Sequence, residues 1–323
     1  MNEELTISHS QLIKAEAQRL GFSACGMSPA GAVDSLHRDA FLQWVAEDEQ
    51  AGMDYMARNV DKRLDPRLLV EGAQSVISVA LNYYPALPPA DDSYRLAWYA
   101  YGEDYHTVVK DKLHALLHYI STLLPGVTGR AFCDTAPLLE RYWAWRSGLG
   151  WTGRNTQFII PQAGSTFFLG ELVIDRPLAY DTPRRSRCGN CTRCLQACPT
   201  GALRAPYRLD ARRCLSYLTI EHRGAIPPEA ASQMGQCIYG CDRCQEVCPW
   251  NRFARPTEEP RLHPRPALFA MRRADWQTLS IETYRTLFKG SAVKRAKYEG
   301  LMRNIGCCAE SAKTGMSGQD VGK

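Results

Sequence analysis

Two cysteine runs late in the chain constrain its fold more than any other feature. The first is "CGNCTRCLQACPTGAL", from Cys188 to Leu203, and the second is "CIYGCDRCQEVCPW", from Cys237 to Trp250. The first has the spacing C-x2-C-x2-C-x3-C-P, and the second C-x3-C-x2-C-x3-C-P. Closely spaced cysteines wrap one corner of a cube, and the last one lies too far along to reach the same corner. In bacterial two-cluster ferredoxin runs that last cysteine ligates the other cluster. Zinc would commonly draw on two separated C-x2-C pairs instead. The pattern therefore predicts two [4Fe-4S] clusters. One set is Cys188, Cys191, Cys194 and Cys248. The other is Cys198, Cys241 and Cys244 with an eighth thiolate, for which Cys214 and Cys237 both qualify; spacing slightly favours Cys237. Cys25, Cys133, Cys307 and Cys308 have no ligand spacing and read as packing or surface thiols.

Composition adds the setting. The 323 residues are 45% hydrophobic and 23% charged, so a sizeable core needs no cross-links. A net charge of +5 permits a nucleic-acid partner without demanding one. The start, "MNEELTISHSQLIKAEAQRLGF", is acidic and amphipathic, unlike a signal peptide. No stretch approaches the roughly 18 apolar residues that span a bilayer. The expected place is the cytoplasm, away from membranes, where clustered cysteines imply metal rather than disulfides.

Upstream of the runs, helices and strands alternate. Residues 8–21 have a helical period with Ser8 or Ser10 as cap, and 41–50 read as helix. The spacing predicts helices over 104–124 and over 137–149, the latter with Pro137 in its first turn. Strands are expected at 22–28, 75–83, 128–134 and 166–174. This implies a layered α/β or α+β domain over residues 1–180. A basic joint at 181–187 opens a cysteine-rich domain over 181–254. A short helical segment follows over 255–306, and the polar tail at 307–323 reads as disordered.

Iron–sulfur clusters carry single electrons, so residues 1–180 should hold a cofactor that uses them. Neither G-x-G-x-x-G nor a P-loop is present. "DYHTVV" (104–109) begins like the D-x-H-x-x-G motif of cobalamin proteins, but Val109 stands at the glycine and the segment reads as helix, so the match is set aside. By its residues alone, Asp134 reads as the cap of the helix that contains Pro137.

Long blocks then resemble one family, the epoxyqueuosine reductases. They are "MDYMARNVDKRLDPRLLVEGAQSVISVALNY" (53–83), "YGEDYH" (101–106), "FCDTAPLLERYWAWRSGLGWTGRNTQFI" (132–159) and "STFFLGEL" (165–172). To these are added the first cysteine run, "RCLSYLTIEHRGAIP" (213–227) and "YGCDRCQEVCPWNRFA" (239–254). The resemblance implies a nitroreductase-like, cobalamin-binding α+β domain followed by a two-cluster ferredoxin-like domain. It implies reduction of epoxyqueuosine to queuosine at the wobble position of tRNA, with electrons passing from an external donor through the clusters to base-off cobalamin. It assigns Asp134 as the proton donor, its carboxyl pKa raised by an apolar pocket. It also selects Cys214 as the eighth thiolate. Arg58, Asp134, Asn155, Ser165, Gly170, Ser216 and Arg223 are implied as cofactor-binding or tRNA-facing residues. Arginines 184, 185, 187, 204, 208, 212 and 213 are candidates to follow RNA phosphates.

Two departures stand out. Trp98 takes a place where members often have arginine. Many members also continue into helical repeats that grip tRNA, and only the start of that region is present here. A monomer is expected. Two other readings compete: a corrinoid iron–sulfur reductase of a small molecule, of dehalogenase type, and a plain iron–sulfur electron carrier.

Overall fold

The computed structural model describes residues 3–317. Its centre is a sheet of four strands in the order β1-β2-β7-β4, antiparallel at every pairing. These are β1 (Ala24–Pro29), β2 (Ser75–Asn82), β4 (Gly129–Phe132) and β7 (Phe167–Ile174). Short strands β3 (Arg95–Leu96), β5 (Trp151–Thr152) and β6 (Phe158–Ile159) lie between them in sequence. The antiparallel pairing makes this an α+β domain, so the α/β alternative does not apply.

β2 and β7 are buried almost throughout because helices cover both faces of the sheet. Side chains alternate across it. Ile77, Leu81, Leu172 and Ile174 face α1 (Glu3–Arg19) and α4 (Tyr105–Leu123), while Val76 and Val173 pack with Trp143 of α5 (Glu140–Arg146). The helices α2 (Ser35–Ala46) and α3 (Val60–Leu64) follow β1 in the chain.

Several expected boundaries shift. α1 starts before Ser8 and Ser10, so neither caps it; Ser10 is buried and its hydroxyl bonds the Thr6 carbonyl at 2.9 Å. α5 begins at Glu140 rather than at Pro137, because tight turns occupy residues 133–138. Asp134 therefore does not cap it; Leu139 holds that position.

The cysteine-rich part contains α6 (Arg193–Gln196), the hairpin of β8 (Leu203–Ala205) and β9 (Arg208–Leu209), α7 (Leu215–Ile220), α8 (Pro228–Ala231), β10 (Cys237–Tyr239) and α9 (Arg243–Glu246). Then come α10 (Pro266–Phe269), α11 (Arg273–Gln277), α12 (Ile281–Leu287) and α13 (Lys297–Ser317). A second core joins Leu96 and Tyr101 to Leu218, Ile238, Trp276 and Leu301. β3 pairs in parallel with β10 at its edge. This core crosses the boundaries expected at 180 and 254. The tail is also more ordered than expected: α13 continues to Ser317, anchored where Ile305 and Cys308 are buried, and residues 318–323 lie outside the described part. Among the described residues no helix is long and apolar enough to cross a membrane.

Gly26 in β1 shows how closely the layers approach, since a Cβ there would stand 2.0 Å from the Ser147 carbonyl oxygen at the end of α5. Gly31 has nothing within 4 Å of the same position. Gly26→Ala should lower unfolding stability by at least about 1–3 kcal/mol in a urea titration, while Gly31→Ala should change it little.

Candidate functional site

The candidate ligands gather in two groups. α6 carries Cys194 and packs against α9, which carries Cys244. That contact brings the ends of the two runs past each other. The Cys194 thiol lies in the field of Cys248 and Cys188, and Cys248 in the field of Cys188 and Cys191. The Cys214 thiol feels Cys241 and Cys198, and Cys244 feels Cys214, Cys241 and Cys198. A cavity of about 220 Å³ is lined by Cys188, Cys191, Cys194 and Cys248 together with Asn155 and Trp250. No three metal-binding side chains among the described residues close around a single ion. The first group encloses a space between its sulfurs, as an inorganic cluster core requires.

Both candidates for the eighth thiolate border the second group. Cys214 is the N-cap residue of α7, so its thiol lies in the field of the helix's first backbone N–H groups. Burial pushes the Cys214 thiol up to about 11, so a metal must take its proton's place. Cys237 hydrogen-bonds the Cys241 thiol, and the Cys308 thiol lies 3.7 Å from its carbonyl.

A separate polar centre surrounds Asp134. The Tyr105 hydroxyl donates to its Oδ2 at 2.5 Å, and His106 Nε2 lies 3.0 Å from the same oxygen. His106 Nδ1 contacts Asp104 Oδ1 at 2.6 Å, and Asp104 caps α4 by accepting the His106 backbone N–H. Tyr105 is stacked on Phe168 with ring centroids 4.2 Å apart, which fixes its hydroxyl. Tyr55 and the buried Arg63 lie in the field of Asp134.

The Asp134 side chain is 56% exposed, yet desolvation is the largest single influence on it. Both hold for a carboxyl open to solvent on one side and packed on the others. Hydrogen bonds from His106 and Tyr105, with the charges of His106 and Arg141, outweigh desolvation and hold the carboxyl below its usual range. The expectation of a raised Asp134 pKa is thus reversed, because its neighbours are polar and charged rather than apolar. Desolvation lowers His106, but bonds to Asp104 and Asp134 overcome it and raise the imidazole to about 9. At neutral pH the pair is a carboxylate and an imidazolium.

The remaining sequence-chosen residues divide. Asn155 is buried and donates to the Cys244 carbonyl at 3.2 Å. Ser165 bonds Gln245 at 3.0 Å and accepts from Asn251 at 3.0 Å. Both therefore brace the cysteine-rich part. Arg58 is exposed. Gly170 is packed under α4, where a Cβ would meet Val109 at 2.8 Å, so it faces a helix and not a ligand. Arg223 is held by the Ile220 and Arg295 carbonyls. Trp98 stacks on Tyr84, with centroids 5.4 Å apart, beside a cavity of about 850 Å³ that also reaches Cys248. Sequence reasoning missed Tyr105, His106 and Glu140. Only the dismissed "DYH" carried a trace of the first two, and nothing local ties residue 106 to residue 134.

Comparison with known proteins agrees with this arrangement. A family model described as "4Fe-4S double cluster binding domain" matches residues 187–251, and one described as "Epoxyqueuosine reductase QueG, DUF1730" matches residues 63–135. The chain is 47% identical to the epoxyqueuosine reductase of Cellulophaga algicola, covering 92% of this chain and 97% of that protein. It is 39% identical to that of Escherichia coli K12, covering 94% and 82%. Among solved structures, an epoxyqueuosine reductase with an epoxyqueuosine-modified tRNA-Tyr stem loop superposes with a TM-score of 0.86 at 29% identity, covering 94% of this chain and 81% of that one. The Bacillus subtilis enzyme, described with its catalytic aspartate loop swung out of the active site, has a TM-score of 0.84 at 28% identity, covering 97% and 86%. By similarity over more than nine-tenths of its length, the chain belongs to the epoxyqueuosine reductase family.

Proposed function

We propose that this chain is an oxidoreductase that converts epoxyqueuosine at the tRNA wobble position to queuosine, with Asp134 and His106 as its proton-delivering pair. The observation that carries the reading is the chain from Asp104 through His106 to Asp134, whose carboxyl is open to solvent. Its substrate is the one named for the relative bound to a modified stem loop. A tRNA substrate also implies work in the cytoplasm. The working unit is read as a monomer served by an external electron donor. We read the chain as a nitroreductase-like domain (1–180), a cluster domain (181–254) and a helical segment (255–306) that share one core across those boundaries.

Removing the epoxide oxygen as water consumes two electrons and two protons. Two [4Fe-4S] clusters supply electrons singly, and base-off cobalamin, when bound, supplies the reducing centre that acts on the epoxide carbon. The chain's own residues deal with the protons. Opening the epoxide leaves an alkoxide, which is far more basic than the Asp134–His106 pair. Asp134 faces solvent and delivers the proton; His106 stores it, and Asp104 keeps His106 charged. A plain electron carrier has no use for such a pair.

Two unpartnered polar groups would suit the amide rim of a corrin. Arg63 Nε and Thr156 Oγ1 are buried without a protein partner, and Arg58 is exposed on the same segment as Arg63. The Asp134 loop is read as the counterpart of the loop that swings in the Bacillus subtilis relative. Cys214 is assigned as the eighth thiolate, because it faces three cysteines of the second group and Cys237 meets Cys241.

Three outcomes follow. Asp134→Asn should keep iron and cobalamin yet lose at least about a hundredfold in turnover of an epoxyqueuosine stem loop, read by nucleoside mass spectrometry; wild-type turnover would end the assignment. The stored proton is present below the raised His106 pKa of about 9 and lost above it. The wild-type rate should therefore fall as pH rises through that value, and His106→Gln should be slower and lack that limb. Finally, Cys214→Ser should lose iron from anaerobically reconstituted protein while Cys237→Ser keeps it; full iron in the Cys214 variant would reverse the choice.

A further inference from the structure

Asp134 adopts φ 57°, the left-handed region that costs a residue with a side chain roughly 1–2 kcal/mol. The turns around it bring Thr135 N–H to the Cys133 carbonyl at 2.6 Å and Leu138 N–H to the Ala136 carbonyl at 2.8 Å. These bonds are local to the loop and do not fix it to the fold. From α4, Tyr105 and His106 hold the Asp134 side chain and Lys110 Nζ donates to Thr135 Oγ1 at 3.0 Å; from α5 the loop's backbone is held, since the Asp134 backbone N–H donates to Glu140 Oε1. Glu140 is the first residue of α5, which is anchored to the sheet through Tyr142 and Trp143.

Beneath this lies Glu171 of β7, paired in register with Phe132 and 0% exposed. Neither of its carboxyl oxygens has a partner. Its charged neighbour is Glu140. Two carboxylates in a dry setting cannot both ionise, so burial keeps Glu171 neutral.

We propose that Glu140 is a positioning residue: its carboxyl oxygen latches the Asp134 loop in the conformation that presents the acid to solvent, and Glu171 below it works as a neutral acid. This rests on the functional reading above only for its consequence in turnover; the latch itself concerns the loop. What the latch needs is an acceptor oxygen, not a charge. Burial and the Asp134 charge push Glu140 up to about 8, and a neutral carboxyl still offers its carbonyl oxygen.

The test compares wild type with Glu140→Ala, Glu140→Met, Glu140→Gln and Glu171→Gln, each loaded with iron and cobalamin. Amide hydrogen exchange is followed over residues 133–139, and kcat and KM are measured on an epoxyqueuosine stem loop. Glu140→Ala and Glu140→Met should speed loop exchange and lower kcat by about tenfold or more each, with KM within about twofold. Glu140→Gln keeps an acceptor and should match wild type in both readouts. Glu171→Gln should do the same, since an amide replaces a neutral acid. Met stands in if Ala prevents folding. Unchanged exchange in both apolar variants overturns the latch, whatever happens to turnover. Fast exchange in Glu140→Gln overturns the acceptor role, and a slow Glu171→Gln enzyme overturns the neutral acid. If even wild type shows no turnover, the functional reading fails while the exchange data still decide the latch.

Discussion

Cys248 lies beside Cys188 and Cys191 rather than beside the cysteines of its own run, and Cys198 lies beside Cys214 and Cys244. This exchange makes α6 and α9 pack together, because each run must send its last thiol across to the other. The paired runs are then clamped to the sheet domain. Asn155 reaches the Cys244 carbonyl, and the Ser165 N–H donates to Asn251 at 2.6 Å. Gly164, at φ +93°, allows that approach, since a Cβ there would stand 2.3 Å from the Asn251 side-chain oxygen. The two parts are thereby held in one orientation, which a relay of single electrons requires.

The second ordering principle is proton placement. An acid that must act in a cleft can be raised until it holds its own proton, or it can borrow one from a neighbour. The polar neighbours of Asp134 select the second route. Tyr105 and His106 hold the carboxylate ionised, and the proton resides on His106, which Asp104 keeps charged. The same contacts leave Asp134 in a left-handed backbone conformation whose tie to α5 is the bond to Glu140. On the proposed reading of Asp134 as the acid, its presentation and the supply of its proton would come from different elements, α5 and α4.

How much of this was legible follows from how local each feature is. The interior strands β2 and β7, the long period of α4 and the cysteine runs are written in adjacent residues, and all were read directly. The start of α5 was misread because Pro137 suits a first helical turn, while the tight turns at 133–138 depend on the Asp134–Glu140 bond. The Asp134 carboxyl was expected to be raised by an apolar pocket, which the sequence around it does not specify. Its neighbours in space, Tyr105 and His106, come from another helix. Gly170 was implied as a cofactor-binding residue, but its space is taken by Val109. In each case the deciding contact joins segments that no local pattern connects.

The arginines around the cysteine runs show the same limit, and it bears on how RNA is met. Arg208 bonds Glu49 and Glu47, Arg212 bonds Asp210, and Arg204 lies 3.5 Å from Glu49. Glu49 is fully buried, so these cations are needed where they are, holding the end of α2 against the β8–β9 hairpin. Glu49 and Asp210 are each met by two of these arginines, so moving one to a phosphate would weaken the pairing of a buried carboxylate. Arg185 and Arg187 are exposed on the joint between the sheet domain and the first run. The basic bias of this region therefore overstates the charge free for a phosphate backbone. Among the described candidates, Arg185, Arg187 and Arg213 are exposed and make no ion pair, and the first two lie next to Cys188, where a bound RNA would be close to the first cluster group.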